Sequence, residues 1–124
     1  MYKAKHRKQM SPAEIQYTET LVHSIDGWAL TNDHMLAEMQ KDCISKRDVA
    51  ITAKWGEVIA VQSNGRIVLR LMTGMRKGVV VVLSLADRTF VTTWYNKPTD
   101  NHATLRLSEY TWKVNVIEYL RSIQ

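Results

Sequence analysis

A chain of 124 residues, 45% hydrophobic and 23% charged, is long enough for one globular domain and needs no disulfide or metal ion to fold. Its single cysteine, Cys43, excludes an internal disulfide and a multi-cysteine zinc site, and it fits a reducing compartment, so we expect a cytoplasmic protein. The net charge of +5 suggests that the protein binds nucleic acid, but residues 1–10 hold four of the 17 basic residues and none of the 12 acidic ones. The remainder has 13 basic and 12 acidic residues and is nearly neutral.

The first ten residues, MYKAKHRKQM, are basic and carry few apolar side chains. We predict that residues 1–10 form a basic flexible arm, dispensable for folding, and that residues 11–124 form a single α+β domain. The arm could add phosphate contacts or serve only as a soluble terminus. It lacks the apolar segment of a secretory signal, and the chain has no apolar run of the ~20 residues that would cross a membrane.

Three helices are predicted before residue 56. Ser11-Pro12-Ala13-Glu14 is a capping box that starts a helix of about 15 residues, which ends near Gly27. Thr31 is predicted to cap a second helix, TNDHMLAEMQKDC, whose apolar residues recur at helical spacing and should face the core: Met35, Leu36, Met39 and Cys43. Ser45 is predicted to cap a third helix, KRDVAITAKW, which Gly56 ends.

After Gly56 the apolar pattern changes to that of strands. EVIAVQ and RIVLRLM are joined by Ser-Asn-Gly, a hairpin signal, and VVVVLSL and RTFVTTWY follow. Hairpin connections predict an antiparallel sheet with one face covered by helices and the other partly exposed. The predicted fold class is therefore α+β, with N-terminal helices packed on a four- to five-stranded antiparallel sheet. Residues 110–124 could supply a fifth strand or a last helix, and the alternation of Trp112, Val114 and Val116 favours a strand at their start.

The loop NKPTDNHATL, after the last of these strands, is dense in polar side chains beside a hydrophobic sheet. Asp100 and His102 could ligate a metal together, but no cluster of further ligands is evident, so we expect neither a metal nor a cofactor. No phosphate-cradling loop, dinucleotide fingerprint or nucleophile elbow is present. Metal-independent RNA cleavage needs a base, an acid and a cation, and His34, Arg47 and the end of the fourth strand supply such groups.

At these residues the chain resembles the barnase/RelE-like superfamily of small metal-independent ribonuclease toxins, including relatives in contact-dependent-inhibition toxins and phages. The likeness rests on His34 in a helix, ISKRDV (44–49), GEVIAVQSNGRIVLR (56–70) and VTTWYN (91–96), and it covers about residues 28–110. The resemblance implies a cleft for RNA. In it, His34 would correspond to the family's helical histidine and Arg47 to its basic residue before the sheet. Thr92, Thr93 and Tyr95 would correspond to the polar and aromatic residues at the end of its last core strand. Two features depart from that family: the nearly neutral body and the DNHATL segment.

The resulting hypothesis is a site at one end of the sheet, facing His34 or Arg47. Its proposed catalytic residues are His102, His34, Arg47 and Tyr95, and its proposed substrate-binding residues are Thr93, Asp100 and Trp94. Strand alternation predicts that Thr93 and Tyr95 share one side, with Trp94 on the other. Asp100 could hold the His102 imidazole in one tautomer. Equally, both residues could merely order a surface loop.

Three functions remain open from the sequence. The first is a metal-independent ribonuclease-like toxin or phage-encoded effector acting on RNA or transfer RNA, with an immunity protein as a further partner. The second is a non-enzymatic, phage-type protein that binds and inhibits a host protein. The third is a nucleic-acid-binding module without catalysis. The polar loop favours a site, whereas the nearly neutral body favours a protein partner. No membrane partner is expected, and the sequence does not indicate an oligomeric state.

Overall fold

The protein folds as helices packed on an antiparallel sheet, which confirms the predicted α+β class. The computed structural model describes residues 3–72, 78–96 and 107–124. Within them the helices are α1 (Pro12–Ser24), α2 (Asp33–Asp42), α3 (Lys46–Trp55) and α4 (Val116–Ile123). The strands are β1 (Ala4–His6), β2 (Glu57–Gln62), β3 (Arg66–Met72), β4 (Gly78–Ser84) and β5 (Thr89–Asn96). They lie in the order β1-β2-β3-β4-β5, and every neighbouring pair is antiparallel.

Side-chain caps set the starts of the helices. The Ser11 hydroxyl accepts a hydrogen bond from the Glu14 backbone N–H at 3.1 Å, and the Glu14 carboxylate accepts one from the Ser11 N–H at 2.8 Å, so the predicted capping box is confirmed. Ser45 caps α3 through the N–H of Asp48, also as predicted. The prediction for α2 was wrong by one residue, because the Asn32 amide oxygen, and not Thr31, accepts from the first N–H groups of that helix.

The sheet carries an apolar cluster on each face. The cluster on the helix side joins β2–β5 to α1–α4 and includes Val22, Met35, Val49 and Leu120. The opposite face carries a smaller cluster that includes Tyr110, with Val91 and Trp94 packed against it. Because both faces are covered around β4, all seven of its residues are buried, so the expectation of a partly exposed second face does not hold there. The prediction for α2 holds for Met35 and Met39, whereas Leu36 and Cys43 are exposed.

The N-terminal segment is part of the sheet, in contrast to the predicted flexible arm and the predicted domain start at residue 11. Strand β1 pairs with β2, with Ala4 opposite Gln62 and His6 opposite Ala60. The His6 ring is 2% exposed and packs edge-on against Tyr110, with ring centroids 5.4 Å apart. The basic residues that suggested an arm alternate with these buried ones. The segment therefore contains a short edge strand, and of its cations Lys3 and Lys8 are exposed, whereas Lys5 and Arg7 form ion pairs with residues of α1.

The C-terminal segment ends in a helix, so the expected strand at residues 112–116 is wrong. The Asn115 side chain caps α4 by accepting from the N–H of Glu118, and Val116 and Leu120 on its apolar side are buried. The Trp112 ring packs edge-on against Tyr119, with centroids 4.7 Å apart. The apolar spacing of this segment from Val116 onward is helical, and burial against α1 decides the outcome.

A buried ion pair joins three of these segments. The Lys5 Nζ donates to both oxygens of Glu14, at 2.9 and 3.2 Å, and to the carbonyl of Val114 at 3.0 Å. The same carboxylate accepts from the N–H of Val116 at 2.9 Å. Burial alone would raise the pKa of Glu14, but hydrogen bonds from Ser11, Lys5 and Val116 outweigh it and leave the pKa below its ordinary value of 4.5.

This pairing predicts acid sensitivity. The pKa of Glu14 is lower in the folded protein, so the stabilisation is fully present above the unfolded pKa near 4.5 and is lost as the pH falls through the folded pKa. Urea unfolding between pH 3 and 6 should show the free energy of unfolding falling below about pH 4.5. Glu14→Gln should be less stable at neutral pH and should show a shallower decline in the same window; an unchanged slope would exclude Glu14 as its source.

Candidate functional site

Helix α2 lies lengthwise along the edge strand β5. At its start, the Asn32 amide donates to the Val91 carbonyl at 3.3 Å, and the His34 Nε2 lies 3.3 Å from the Thr92 hydroxyl. At its end, the Tyr95 hydroxyl lies 3.5 Å from the Cys43 carbonyl. The helix and the strand therefore run in the same direction, and α2 shields an edge that would otherwise be open to pairing with another chain.

The connection between α2 and α3 positions Arg47. Cys43 takes a left-handed backbone conformation, with φ of 54°, which ends α2, and Ser45 caps α3 two residues later. Arg47 is therefore in the first turn of α3, where it is exposed. The next residue, Asp48, is close enough to Tyr95 to influence its titration. The turn that carries Arg47 thus lies near the Tyr95 end of β5.

Tyr95 stands in an environment that keeps its hydroxyl protonated. Burial is the main cause that raises the pKa of this phenol, and the electrostatic influence of Asp48, Cys43 and Asp42 raises it further. A tyrosine is neutral at neutral pH in any case, so Tyr95 can donate a hydrogen bond or a proton, and the raised pKa makes it a weaker acid than an ordinary tyrosine. The same two aspartates make this part of the surface less favourable for a phosphate than its cations alone would suggest.

His34 is not at the Tyr95 end of the strand. Thr92 and Tyr95 are three residues apart on β5, which corresponds to about 10 Å. His34 and Cys43 are nine residues apart along α2, which corresponds to about 13 Å. The His34 imidazole and the Tyr95 hydroxyl therefore lie at opposite ends of the contact between α2 and β5. His34 therefore contacts the strand at Thr92, whereas Tyr95 contacts the end of α2, two residues before the cap of the helix that carries Arg47.

Thr93 and Trp94 lie on opposite faces of the sheet, as alternation predicted. Thr93 pairs with Val81 and Tyr95 with Val79, both in the cluster on the helix side, whereas Trp94 packs in the opposite cluster. Thr93 is fully buried and its hydroxyl donates to the Val80 carbonyl at 2.6 Å, so it does not reach a surface where a substrate could bind. The Trp94 indole donates to the Asn96 side chain at 3.0 Å. These two residues cannot serve one substrate site from one side.

Asp100 and His102 lie outside the described residues. In the sequence, the segment that carries them begins directly after Asn96, which follows Tyr95 and is the last residue of β5. Within residues 3–72, 78–96 and 107–124, no three His, Cys, Asp or Glu side chains gather in a way that could bind a metal ion. In the same part of the chain, no helix combines the length and the apolar character that crossing a membrane requires.

A cavity of about 470 Å³, which no sequence motif indicated, lies on the helix side of the fold. It lies between the end of α1, the chain at Gly27 and Trp28, α3 and Phe90 at the start of β5. Phe90 and Tyr95 are five residues apart on one strand, about 16 Å, so this part of the cavity is distant from the Tyr95 end of β5. The tryptophans at positions 28 and 55 were its signal, but only the fold brings them to one cavity.

Comparison with known proteins finds no match to this chain. No family model, no curated protein and no solved structure matches the chain. The likeness to ribonuclease toxins thus rests on the residues quoted above, and the function must be argued from the chemistry of this chain.

Proposed function

We propose that the protein is a metal-independent ribonuclease-like effector that acts on RNA or transfer RNA at the Tyr95 end of β5. The observation that supports this proposal is the convergence of a neutral Tyr95 hydroxyl, the first turn of α3 with Arg47, and the start of the polar segment that carries Asp100 and His102. These groups supply a proton donor, a cation and a titratable imidazole, the three components that cleavage of RNA without a metal requires.

The proposed reaction uses the RNA's own 2′-hydroxyl as the nucleophile. His102, oriented by Asp100, takes the proton of that hydroxyl while the oxygen attacks phosphorus. The bond from phosphorus to the 5′-oxygen breaks, and Tyr95 donates a proton to the departing oxygen. Arg47 stabilises the charge on the phosphorane, because a guanidinium can bind two of its oxygens at once. The products are a 2′,3′-cyclic phosphate and a 5′-hydroxyl. His34 has no step in this scheme, since it contacts the strand at Thr92, which is three residues, or about 10 Å along β5, from Tyr95.

The test is cleavage of single-stranded RNA and transfer RNA in the presence of a metal chelator. We expect wild type to form 2′,3′-cyclic phosphate ends. His102→Ala and Arg47→Ala should lower the rate by at least about 100-fold, as expected when a proton-transfer group or a charge-stabilising group is removed. Lys46→Ala is the matched control, because Lys46 is an exposed cation in the same turn as Arg47, and it should retain nearly full activity.

Three results would contradict this proposal. One is a lack of cleavage by wild type, another is equal loss in Lys46→Ala and Arg47→Ala, and the third is unchanged activity in His102→Ala. Binding without cleavage would instead identify a nucleic-acid-binding module. The chelator also separates this reaction from cleavage by a contaminating metal-dependent nuclease.

A second candidate is a non-enzymatic module that binds a basic protein. It is favoured by the acidic pair Asp42 and Asp48 near Tyr95. Asp48→Asn distinguishes the two candidates by the direction of its effect. Under the ribonuclease proposal the substitution removes repulsion and should strengthen RNA binding, whereas under the second candidate it should weaken binding of a basic partner and leave RNA unbound.

A further inference from the structure

The outward side of α3 connects the proposed active site with the cavity between α1 and α3. Residues at helical spacing lie along this side of the helix: Arg47, Ala50, Ile51 and Lys54. Arg47 is exposed in the first turn, and Trp55 ends the helix about 12 Å further along its axis. All of these residues except Arg47 line the cavity. A strand bound at Arg47 that follows α3 therefore reaches the cavity.

Trp55 is 69% exposed, more than any other large apolar side chain in the described part of the chain. It is the last residue of α3, and the adjoining Gly56 is fixed by a hydrogen bond from its N–H to the Thr52 carbonyl at 2.8 Å. Most of the indole surface is therefore open to solvent on a helix end that is held in place. Such an indole offers a flat surface on which a planar ring can stack.

The cavity beside Trp55 has room for one nucleobase. Its volume of about 470 Å³ lies within the range of cavities that hold small ligands, and its walls include Ile25, Trp28 and Phe90. The cavity is open to solvent. A base stacked on Trp55 can therefore cover apolar surface with its faces while its polar edge keeps contact with water.

Two exposed arginines lie at the two ends of this path. Arg47 and Arg88 form no ion pair within residues 3–72, 78–96 and 107–124. Arg88 belongs to the turn before β5, and its carbonyl accepts from the Ala29 N–H at 2.8 Å, which places this turn next to Trp28 in the cavity wall. A strand along α3 would therefore meet one cation at the start of the helix and another beside the cavity, as an anionic backbone requires.

Two carboxylates near the cavity already have partners. The Asp87 carboxylate accepts from the Ser84 hydroxyl at 3.2 Å, and Asp26 pairs with Lys54 at 3.2 Å. The side chain of Asp26 is 85% exposed, so its ion pair contributes little to stability and Lys54 can pair with a phosphate instead. Asp26 itself would repel that phosphate, which gives a test of sign.

We propose that this cavity is a base-stacking subsite for single-stranded RNA. One base stacks on Trp55, phosphates next to it pair with Lys54 and Arg88, and the strand continues along α3 to Arg47. Because every base has a π face, the subsite would position the strand without selecting its sequence. This inference rests on the proposed function, since it takes RNA as the ligand, but it concerns binding and is tested without cleavage.

The test uses single-stranded DNA of about ten nucleotides, which lacks the 2′-hydroxyl and cannot undergo the proposed reaction. Fluorescence anisotropy compares a thymidine strand with an abasic strand that has the same number of phosphates, and wild type should bind the thymidine strand more tightly. Trp55→Ala should weaken binding of that strand at least about fivefold, the loss of one stacked base, and remove most of the preference. Leu36→Ala, which truncates an apolar residue of α2 that is 39% exposed, is the matched control and should change neither value.

Two charge variants test which ligand the cavity accepts. Asp26→Asn should raise the affinity for the thymidine strand about two- to fivefold, because it removes a negative charge beside Lys54. Lys54→Gln should lower the affinity and reduce the slope of log K against log salt concentration by about 0.7, the value for one phosphate contact on a single strand. All four variants change exposed residues, so each should keep the melting temperature of wild type.

Four results would overturn the proposal: no binding of the thymidine strand by wild type, unchanged affinity in Trp55→Ala, a preference for the thymidine strand that survives in Trp55→Ala, or weaker binding by Asp26→Asn. The first would favour an apolar segment of a protein as the occupant. Binding through Trp55 without any cleavage of RNA would contradict the ribonuclease proposal alone. Cleavage of RNA with unchanged kcat/KM in Trp55→Ala would instead overturn the subsite alone.

Discussion

Removal of residues 1–9 is expected to destabilise the protein by at least about 3–5 kcal/mol, and it should leave little folded protein at 37 °C. The deletion removes strand β1 and with it the edge pairing of β2. It also removes Lys5, so the buried carboxylate of Glu14 loses its counter-ion. A charge left buried without its partner costs several kcal/mol, a large part of the stability of a domain of this size.

Arg7 adds a second link that the deletion would break. Its guanidinium donates to the Glu19 carboxylate at 3.0 Å and to the Val58 carbonyl at 2.9 Å, and the same carboxylate accepts from the N–H of Val58 at 2.8 Å. This contact ties the segment to both α1 and β2. It is about one quarter to one third exposed, so we expect it to contribute less than the Lys5–Glu14 pair.

The measurement is urea unfolding of the truncated chain beside two point variants. Lys5→Met removes only the buried cation and should reproduce most of the loss, whereas Lys8→Ala removes an exposed cation and should change the free energy of unfolding by less than about 0.5 kcal/mol. If the truncated chain unfolds at the same urea concentration as wild type, the contacts of β1 contribute nothing to folding.

Local sequence signals predicted most of the central fold because each of them acts over a few residues. The Ser11–Glu14 box, the Ser45 cap, the helix end at Gly56 and the Asn64-Gly65 hairpin all lie where the sequence indicated. Alternation also assigned Thr93 and Trp94 to opposite faces. In each case the residues that form the pattern also make the contacts that determine the local structure.

The errors arose where distant parts of the chain meet. Strand β1 is three residues long and pairs with β2 across more than 50 residues, so no local pattern distinguishes it from a basic arm. The C-terminal segment alternates at Trp112 and Val114, but packing against α1 selects a helix from Val116. The position of His34 depends on the direction in which α2 runs along β5, and no short sequence motif indicates that direction.

Gly56→Ala is expected to destabilise the protein by about 3 kcal/mol, at the upper end of the range for an overpacked site. A Cβ at this position would lie 2.5 Å from the Thr52 carbonyl oxygen and 3.2 Å from the Arg70 carbonyl oxygen. Both atoms belong to backbone, of α3 and of β3, so neither can move away as the end of a flexible side chain could. The chain passes from helix to sheet at this point, and glycine is needed for the close approach.

Gly27→Ala provides the matched control. Gly27 has φ of +75°, which disfavours alanine, but a Cβ there would meet no atom within 4 Å. Its cost should therefore be about 1 kcal/mol, the conformational term alone. At Gly56 the displaced backbone would also strain the 2.7 Å contact between its carbonyl and the His23 Nε2, which links α1 to the same junction. Urea unfolding of both variants should give the larger loss for Gly56→Ala, and the reverse order would show that the α3–β2 junction adapts easily to an added methyl group.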